Sequence, residues 1–165
     1  MADIMKIGGN NSGVVKGVSV NSDGAIFTTR KIAVTQIFNS QELRNQSYVR
    51  SNTTVDLSGG VFVSLRVLNT LKYVETVEGS TVTTDIPVTL RLYTDGYDSN
   101  GTTSSYQYDV SDNGTTVTVP AAGHRVIVTP DDLPVLPYLN LISLGVKATA
   151  TPNDGSVSVW AVVKG

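Results

Sequence analysis

The sequence contains no cysteine, one histidine and only three glutamates among its 165 residues. Without cysteine the chain cannot form a disulfide, a thiolate metal site or a thiol nucleophile. A single histidine excludes a multi-histidine metal site within one chain. Charged residues make up only 16% of the sequence, with a formal net charge of −2, whereas a general nucleic-acid-binding protein presents a basic face. No apolar run approaches the roughly 20 residues of a membrane span, so we expect no membrane partner.

The residues that are abundant favour β-structure. The chain has 25 valines and 20 threonines but only six lysines and two methionines, and β-branched residues pack well in strands. Alternating or β-branched runs separated by Gly, Asn and Asp clusters predict about eight strands. These runs are Val61–Leu68, Leu71–Val77, Ile86–Tyr93, Tyr106–Val110, Thr115–Val119, Arg125–Thr129, Leu144–Ala150 and Ser156–Val163. Because there is no room for crossover helices, we predict an all-β, antiparallel, jelly-roll-like β-sandwich.

The first part of the chain differs from the rest in composition. Residues 1–24 combine a Gly- and Asn-rich stretch with the β-prone run VVKGVSV and end on the turn signal Asp23-Gly24. We interpret this part as an extended N-terminal arm that precedes a β-sandwich domain over residues 25–165. The alternative is that residues 14–20 form the first strand of the sandwich. The arm's candidate partner-binding residues are Val14, Val15, Val18 and Val20.

Two further segments have distinctive local signals. Lys31–Phe38 suits a strand, whereas Gln41–Arg44 is the one place that favours a short helical turn, with Ser40 as its N-cap. Thr129–Pro137 contains three prolines and therefore cannot be a central strand. We predict an ordered crossover loop there.

Catalytic signatures are missing from the sequence. It has no G-x-S-x-G elbow, no phosphate-binding P-loop and no dinucleotide-binding glycine motif. His124 precedes the predicted strand at Arg125 and is interpreted as a surface residue or an oligomer contact. We therefore expect a protein that is not an enzyme and needs no cofactor.

The loop between the predicted strands Ile86–Tyr93 and Tyr106–Val110 carries two alternative binding hypotheses. Its Asp and Asn oxygens suit Ca²⁺, but their spacing does not match an EF-hand, so we expect no metal. Its tyrosines suit stacking on sugars, although they equally suit a subunit interface. Tyr106 and Tyr108 point the same way in a strand and are the candidate partner-binding pair, while Trp160 is expected in the core or an interface. The acidic, amide and tyrosine residues of this loop and its flanks are Tyr93, Asp95, Tyr97, Asp98, Asn100, Tyr106, Tyr108, Asp109 and Asp112.

The two ends of the chain carry a resemblance to a known class of protein. The start SGVVKGVSVNSDGAIFTTRK and the closing hairpin, in which PNDG joins LGVKATA to SVSVWAVVKG, resemble small β-sandwich structural proteins of tailed bacteriophages. These are capsid decoration (cement) proteins and modules attached to the head or tail. The resemblance implies a virion protein, made in the host cytoplasm and often trimeric, whose arm binds the major capsid protein or another virion protein. The alternative is a host-recognition or carbohydrate-binding module of a tail or fibre.

Overall fold

The computed structural model describes residues 32–57, 60–97, 103–106 and 116–165. Ile32–Gly165 form one compact unit. The predicted arm, residues 1–24, lies outside the described residues, as do Val14, Val15, Val18 and Val20.

The described residues form antiparallel strands and a single 3-10 turn, Leu136–Tyr138. The predicted all-β class is confirmed. The strands are β1 (Ile32–Gln41), β2 (Val49–Arg50), β3 (Val55–Asp56), β4 (Phe62–Asn69), β5 (Lys72–Val77), β6 (Ser80–Asp85), β7 (Val88–Tyr97), β8 (Thr103–Tyr106), β9 (Thr116–Val119), β10 (Arg125–Val128), β11 (Leu141–Ala148) and β12 (Val157–Lys164).

The strands are arranged as a jelly roll. The first sheet has the order β1-β12-β4-β10. In the second sheet, β2 and β3 both pair with one edge of β11, β7 pairs with its other edge, and β8 and β9 both pair with β7. Taking β2 with β3, and β8 with β9, as interrupted single strands gives two four-stranded sheets, which is the jelly-roll pattern. The β5–β6 hairpin is an insertion that forms a separate two-stranded sheet.

The core lies between the two sheets. Alternate residues of a strand point to opposite faces, so each sheet contributes every second side chain to it. Leu65 and Val159 of the first sheet belong to the same buried cluster as Leu90 and Leu144 of the second, and all four are fully buried. This shared cluster shows that the sheets pack face to face, as in a sandwich.

A buried asparagine joins the two sheets at one end. The Asn69 side chain, on β4, donates to the carbonyl oxygens of Ile86 (2.9 Å) and Val119 (3.4 Å). Its own oxygen accepts the N–H of Leu71 at 3.0 Å. Because every polar atom of this side chain has a partner, Asn69 is accommodated in the core.

The predicted crossover loop is present between β10 and β11, and its leucines extend the core. Leu133 and Leu136 are both fully buried. The Asp132 carboxylate accepts hydrogen bonds from the N–H (2.9 Å) and the hydroxyl (3.1 Å) of Thr129, which closes the turn that leads into the loop.

The helical turn predicted at Gln41–Arg44 is wrong. Strand β1 continues to Gln41, which pairs with Val157, and Ser40 adopts a positive φ of 48° within an irregularity of that pairing. The Ser40 N–H donates to the Ser158 hydroxyl at 2.8 Å instead of starting a helix. Pairing with β12 and the burial of Leu43 therefore override the local preference.

The strands around the tyrosine-rich loop differ from the prediction. Strand β7 extends to Tyr97 rather than ending at Tyr93, and β8 ends at Tyr106 instead of starting there. Thr94 pairs with Tyr106, and Tyr97 pairs with Thr103. Residues 107–115, which include Tyr108, lie outside the described residues. The Asp and Gly residues in this part of β7 favour a turn locally, but antiparallel pairing with β8 keeps them in a strand.

The backbone conformation and the close surroundings at Gly155, between β11 and β12, both require a glycine. Its φ is +84°, and an added Cβ would contact the Thr70 carbonyl group and come within 2.8 Å of the Leu71 Cα. We expect Gly155→Ala to lower the free energy of unfolding by about 3 kcal/mol, because left-handed strain and overpacking add. Urea denaturation measures this loss.

Gly79→Ala is the matched control. Gly79 has a similar φ of +78° but nothing within 4 Å of an added Cβ, so only the conformational strain of about 1 kcal/mol should appear. Equal losses in the two variants would show that the close approach of Thr70 and Leu71 to Gly155 does not matter.

Candidate functional site: the outer sheet faces and the ribbon

The structure describes only some of the candidate residues predicted from the sequence. His124 is exposed just before β10, and its Nδ1 lies 2.8 Å from the Ala122 carbonyl oxygen. Tyr106 is placed by its backbone at the end of β8. Asp98, Asn100, Asp109 and Asp112 lie outside the described residues, as does Tyr108. Within the described ranges, no three His, Asp or Glu side chains come together in a way that could hold a metal ion.

Tyr93 is covered by a neighbouring side chain and has little contact with solvent. It is only 8% exposed, and the guanidinium of Arg50 lies 4.5 Å from its ring centroid. A ring covered in this way cannot serve as an open stacking platform for a sugar. Tyr48, which directly precedes β2, is half-buried and so more exposed than Tyr93, and no motif or spacing in the sequence singles it out.

The outer face of the first sheet is rich in apolar side chains. Because Val159 and Ala161 of β12 point into the core, Trp160 and Val162 point outward. The same alternation applies to the paired residues of β1, β4 and β10. We define the apolar outer face by the outward hydrophobic residues that reach solvent, which are Ile32, Val34, Phe62, Leu68, Ile127 and Trp160, whereas Val162 points the same way but is only 1% exposed.

Several residues of the apolar outer face are strongly exposed. Ile32 is 59% exposed, Val34 58% and Ile127 60%, while Phe62 is 43% exposed. The preceding residue, Val61, is 89% exposed. Single exposed hydrophobic residues are normal on proteins, but residues in adjacent rows of one sheet mark an interaction surface.

Every charged residue on the four strands of the first sheet is a cation on this outer face. Arg125 lies 4.6 Å from the centroid of the Trp160 ring, and Lys164 lies 5.5 Å from that of Phe62. Arg66 pairs across the sheet with Trp160 and with Ile127. The face is therefore apolar and weakly positive, with no carboxylate in its strands.

The outer face of the second sheet carries cations stacked on tyrosines. Arg50 covers Tyr93, while Arg91 and Lys147 lie 4.4 and 4.8 Å from the centroid of Tyr48. We call these five residues the tyrosine–cation patch. The sequence shows them only as scattered residues, because strand pairing between β2, β11 and β7 brings them together.

The β5–β6 hairpin forms a projecting ribbon. All six residues of β6 are exposed, as are Tyr73 (42%) and Val77 (46%) on β5. An isolated two-stranded ribbon is only marginally stable in water. This ribbon is held at its base by the turn between β11 and β12.

Asn153 and Asp154 make that attachment. The Asn153 side chain accepts the Val74 N–H at 2.8 Å and donates to the Val74 carbonyl at 2.7 Å. Asp154 lies 3.3 Å from the Lys72 ammonium. The Gly155 N–H and the Lys72 ammonium both stabilise the carboxylate and lower the pKa of Asp154, so this contact is present at neutral pH and is lost only as the pH falls through the lowered value.

We expect Asn153→Ala to increase amide hydrogen exchange of Val74 by about tenfold or more, because two hydrogen bonds of about 1 kcal/mol each are lost. The core strands should keep their protection, since the ribbon opens locally. Hydrogen exchange read by NMR measures both. Asn140→Ala, at another exposed asparagine, is the control and should leave Val74 unchanged. Uniform loss of protection in β4 and β12 would contradict local attachment.

No helix among the described residues is long and apolar enough to cross a membrane. Comparison of the chain with protein-family models and with curated proteins finds no match. The assignment of a function therefore depends on the fold and on the surfaces described above.

Proposed function

We propose that the chain is a non-enzymatic structural protein of a tailed-phage virion, specifically a capsid decoration protein that binds and stabilises the head. The observation that carries the proposal is the apolar outer face of the first sheet. In this proposal the face packs against the major capsid protein or another virion protein. The arm, residues 1–24, adds a second attachment, and the chain forms a homo-oligomer, expected to be a trimer.

The composition of the apolar outer face supports a protein partner. Protein contact surfaces are enriched in aromatic residues and arginine at their centres and depleted in acidic residues. Trp160 with Arg125 stacked on it, and Phe62 with Lys164, match that composition. Buried aromatic and arginine residues also contribute most of the binding energy in many interfaces.

The fold is compatible with this role, since jelly rolls occur in viral capsid domains as well as in lectins and cupins. The resemblance of the two chain ends to phage β-sandwich proteins favours the virion among them. Repeated copies on a symmetric particle would strengthen individually weak contacts through avidity.

Immunogold electron microscopy with an antibody against the chain tests the assignment. We expect gold particles on phage heads from a lysate of the natural host. Labelling confined to tail tips or fibres would support the host-recognition alternative instead. An absence of label from all particles, with the protein detected in the same lysate, would contradict the virion assignment.

The apolar outer face can be tested with a double variant, Val34→Asp with Ile127→Asp. Both side chains are mostly exposed in the isolated chain, so folding should be preserved. Attachment to particles should fall by about a hundredfold or more, because two unpaired carboxylates would be buried in the contact. Co-sedimentation with particles stripped of the protein measures this loss.

Thr81→Asp, on the exposed strand β6, is the matched control for an added surface charge and should attach normally. If the double variant attaches as well as the control does, the apolar outer face is not the contact surface.

A further inference from the structure

The tyrosine–cation patch is organised around Gly145, at the centre of the outer face of the second sheet. Gly145 pairs with Arg50 on one side and with Arg91 on the other. An added Cβ at this position would lie 2.7 Å from Cε2 of Tyr93 and 3.3 Å from Cδ1 of Tyr48. The absence of a side chain therefore allows both tyrosine rings to lie across the strand.

The cations form a layer above these rings. A guanidinium that stacks on an aromatic ring uses its flat face, so its N–H groups remain directed along its edges. Arg50 uses part of that edge to donate to the Ser143 hydroxyl, at 2.9 Å from Nη2 and 3.2 Å from Nε. Arg50 is therefore a positioned member of the patch and is held over Tyr93.

Arg91 and Lys147 are the cations of the patch whose N–H groups can donate hydrogen bonds to a ligand. Both are half-buried, and both contact the ring of Tyr48. Neither forms an ion pair with a carboxylate among the described residues, in contrast to Lys72, which is paired with Asp154. Two positive groups fixed over one ring form a site for a negatively charged group.

The surroundings of these cations are rich in hydroxyl groups. Thr89 pairs with Lys147, and its hydroxyl lies 3.5 Å from that of Thr118. Ser143 and Tyr93, two rows further along the same face, are only 2% and 8% exposed, and the Ser143 hydroxyl is already bound by Arg50, so the threonine hydroxyls are the ones that a ligand can reach. Hydroxyl groups both donate and accept hydrogen bonds, which suits a partner that carries hydroxyls as well as negative charge.

We propose that the tyrosine–cation patch binds an acidic saccharide, with its carboxylate or sulfate group held by Arg91 and Lys147. Sugar hydroxyls would then hydrogen-bond to the Thr89 and Thr118 hydroxyls beside them. A nucleic acid is a poorer fit, because three cations in a chain of net charge −2 neutralise few phosphates. The proposal does not rest on the virion assignment. It keeps the carbohydrate class suggested by the sequence but moves the site from Tyr106 and Tyr108 to β2, β11 and β7.

Isothermal titration of the full-length chain tests this proposal. The probes are a galacturonate hexamer, a heparin hexasaccharide, a neutral maltohexaose, a glutamate hexapeptide and a short single-stranded oligonucleotide. We expect at least one acidic saccharide to bind, weakening as salt is raised, and the neutral sugar not to bind. The carboxylated and sulfated probes distinguish the two anion types.

The variants Arg91→Ala and Lys147→Ala should each weaken saccharide binding by about tenfold, the loss expected for one charge-assisted hydrogen bond. Arg91→Lys should restore part of the affinity because it keeps the charge. Arg66→Ala, which removes an exposed cation from the outer face of the other sheet, is the matched control and should bind normally. Thermal denaturation of each variant confirms that it is folded.

Three outcomes would overturn the proposal. The first is that neither acidic saccharide binds or that the neutral sugar binds equally well. The second is tighter binding of the oligonucleotide or the acidic peptide, which would assign the patch to a different partner class. The third is equal weakening by Arg66→Ala and Arg91→Ala, which would indicate general charge attraction rather than a site. Failure of the virion assignment would appear separately, in the particle-labelling experiment.

Discussion

The alternate burial of side chains along β12 is the constraint on which the rest of the structure depends. This strand pairs with β1 on one side and with β4 on the other, in continuous register with β4 from Val157 to Lys164. Once Val159 and Ala161 are in the core, Trp160 must point out of the sandwich. The same register therefore builds the core and creates the apolar outer face. A shift by one residue would bury Lys164 and expose the core valines.

Positive and negative side chains occupy different parts of the described structure, although the net charge of the chain is close to zero. On the described sandwich strands, the outer faces of both sheets carry arginines and lysines, whereas carboxylates occur only at Asp56, the last residue of β3, and Asp95, near the end of β7. Other carboxylates of the described ranges lie in loops or on the ribbon, such as Asp132 and Glu75. A chain of net charge −2 thus presents two positive faces with an acidic periphery.

The sequence predicts the all-β class and most strands because those depend on local composition and alternation. The predicted strands Val61–Leu68 and Ser156–Val163 agree within a residue or two with β4 and β12. The ribbon is not predictable in this way, because Leu71–Val77 has the same Val- and Thr-rich pattern as a sandwich strand. Its attachment outside the sandwich uses contacts made by Asn153, which is 79 residues away from Val74. The prediction of a helical turn at Gln41–Arg44 is wrong for a similar reason, because Gln41 pairs with Val157 of β12, which is distant in sequence.

The candidate surfaces are less predictable than the fold. Tyr48, Arg91 and Lys147 are distant in sequence and meet only through the register of β11 with its neighbours. One sequence feature that points to this patch is Gly145 within an otherwise continuous strand, since an isolated glycine in a strand often marks a place where another group lies close to the backbone. Trp160 is expected from the sequence in the core or at an interface, and its half-exposed position on the outer face favours the interface.

We propose that the apolar outer face is a protein contact in the assembled particle. Hydroxyl-radical footprinting of the isolated chain and of intact particles, read by mass spectrometry, tests it most directly. We predict that oxidation of Phe62, Trp160 and Ile127 falls strongly on assembly, while Tyr73 on the ribbon serves as an internal reference. Equal oxidation of those three residues in the isolated chain and in the particle would contradict it.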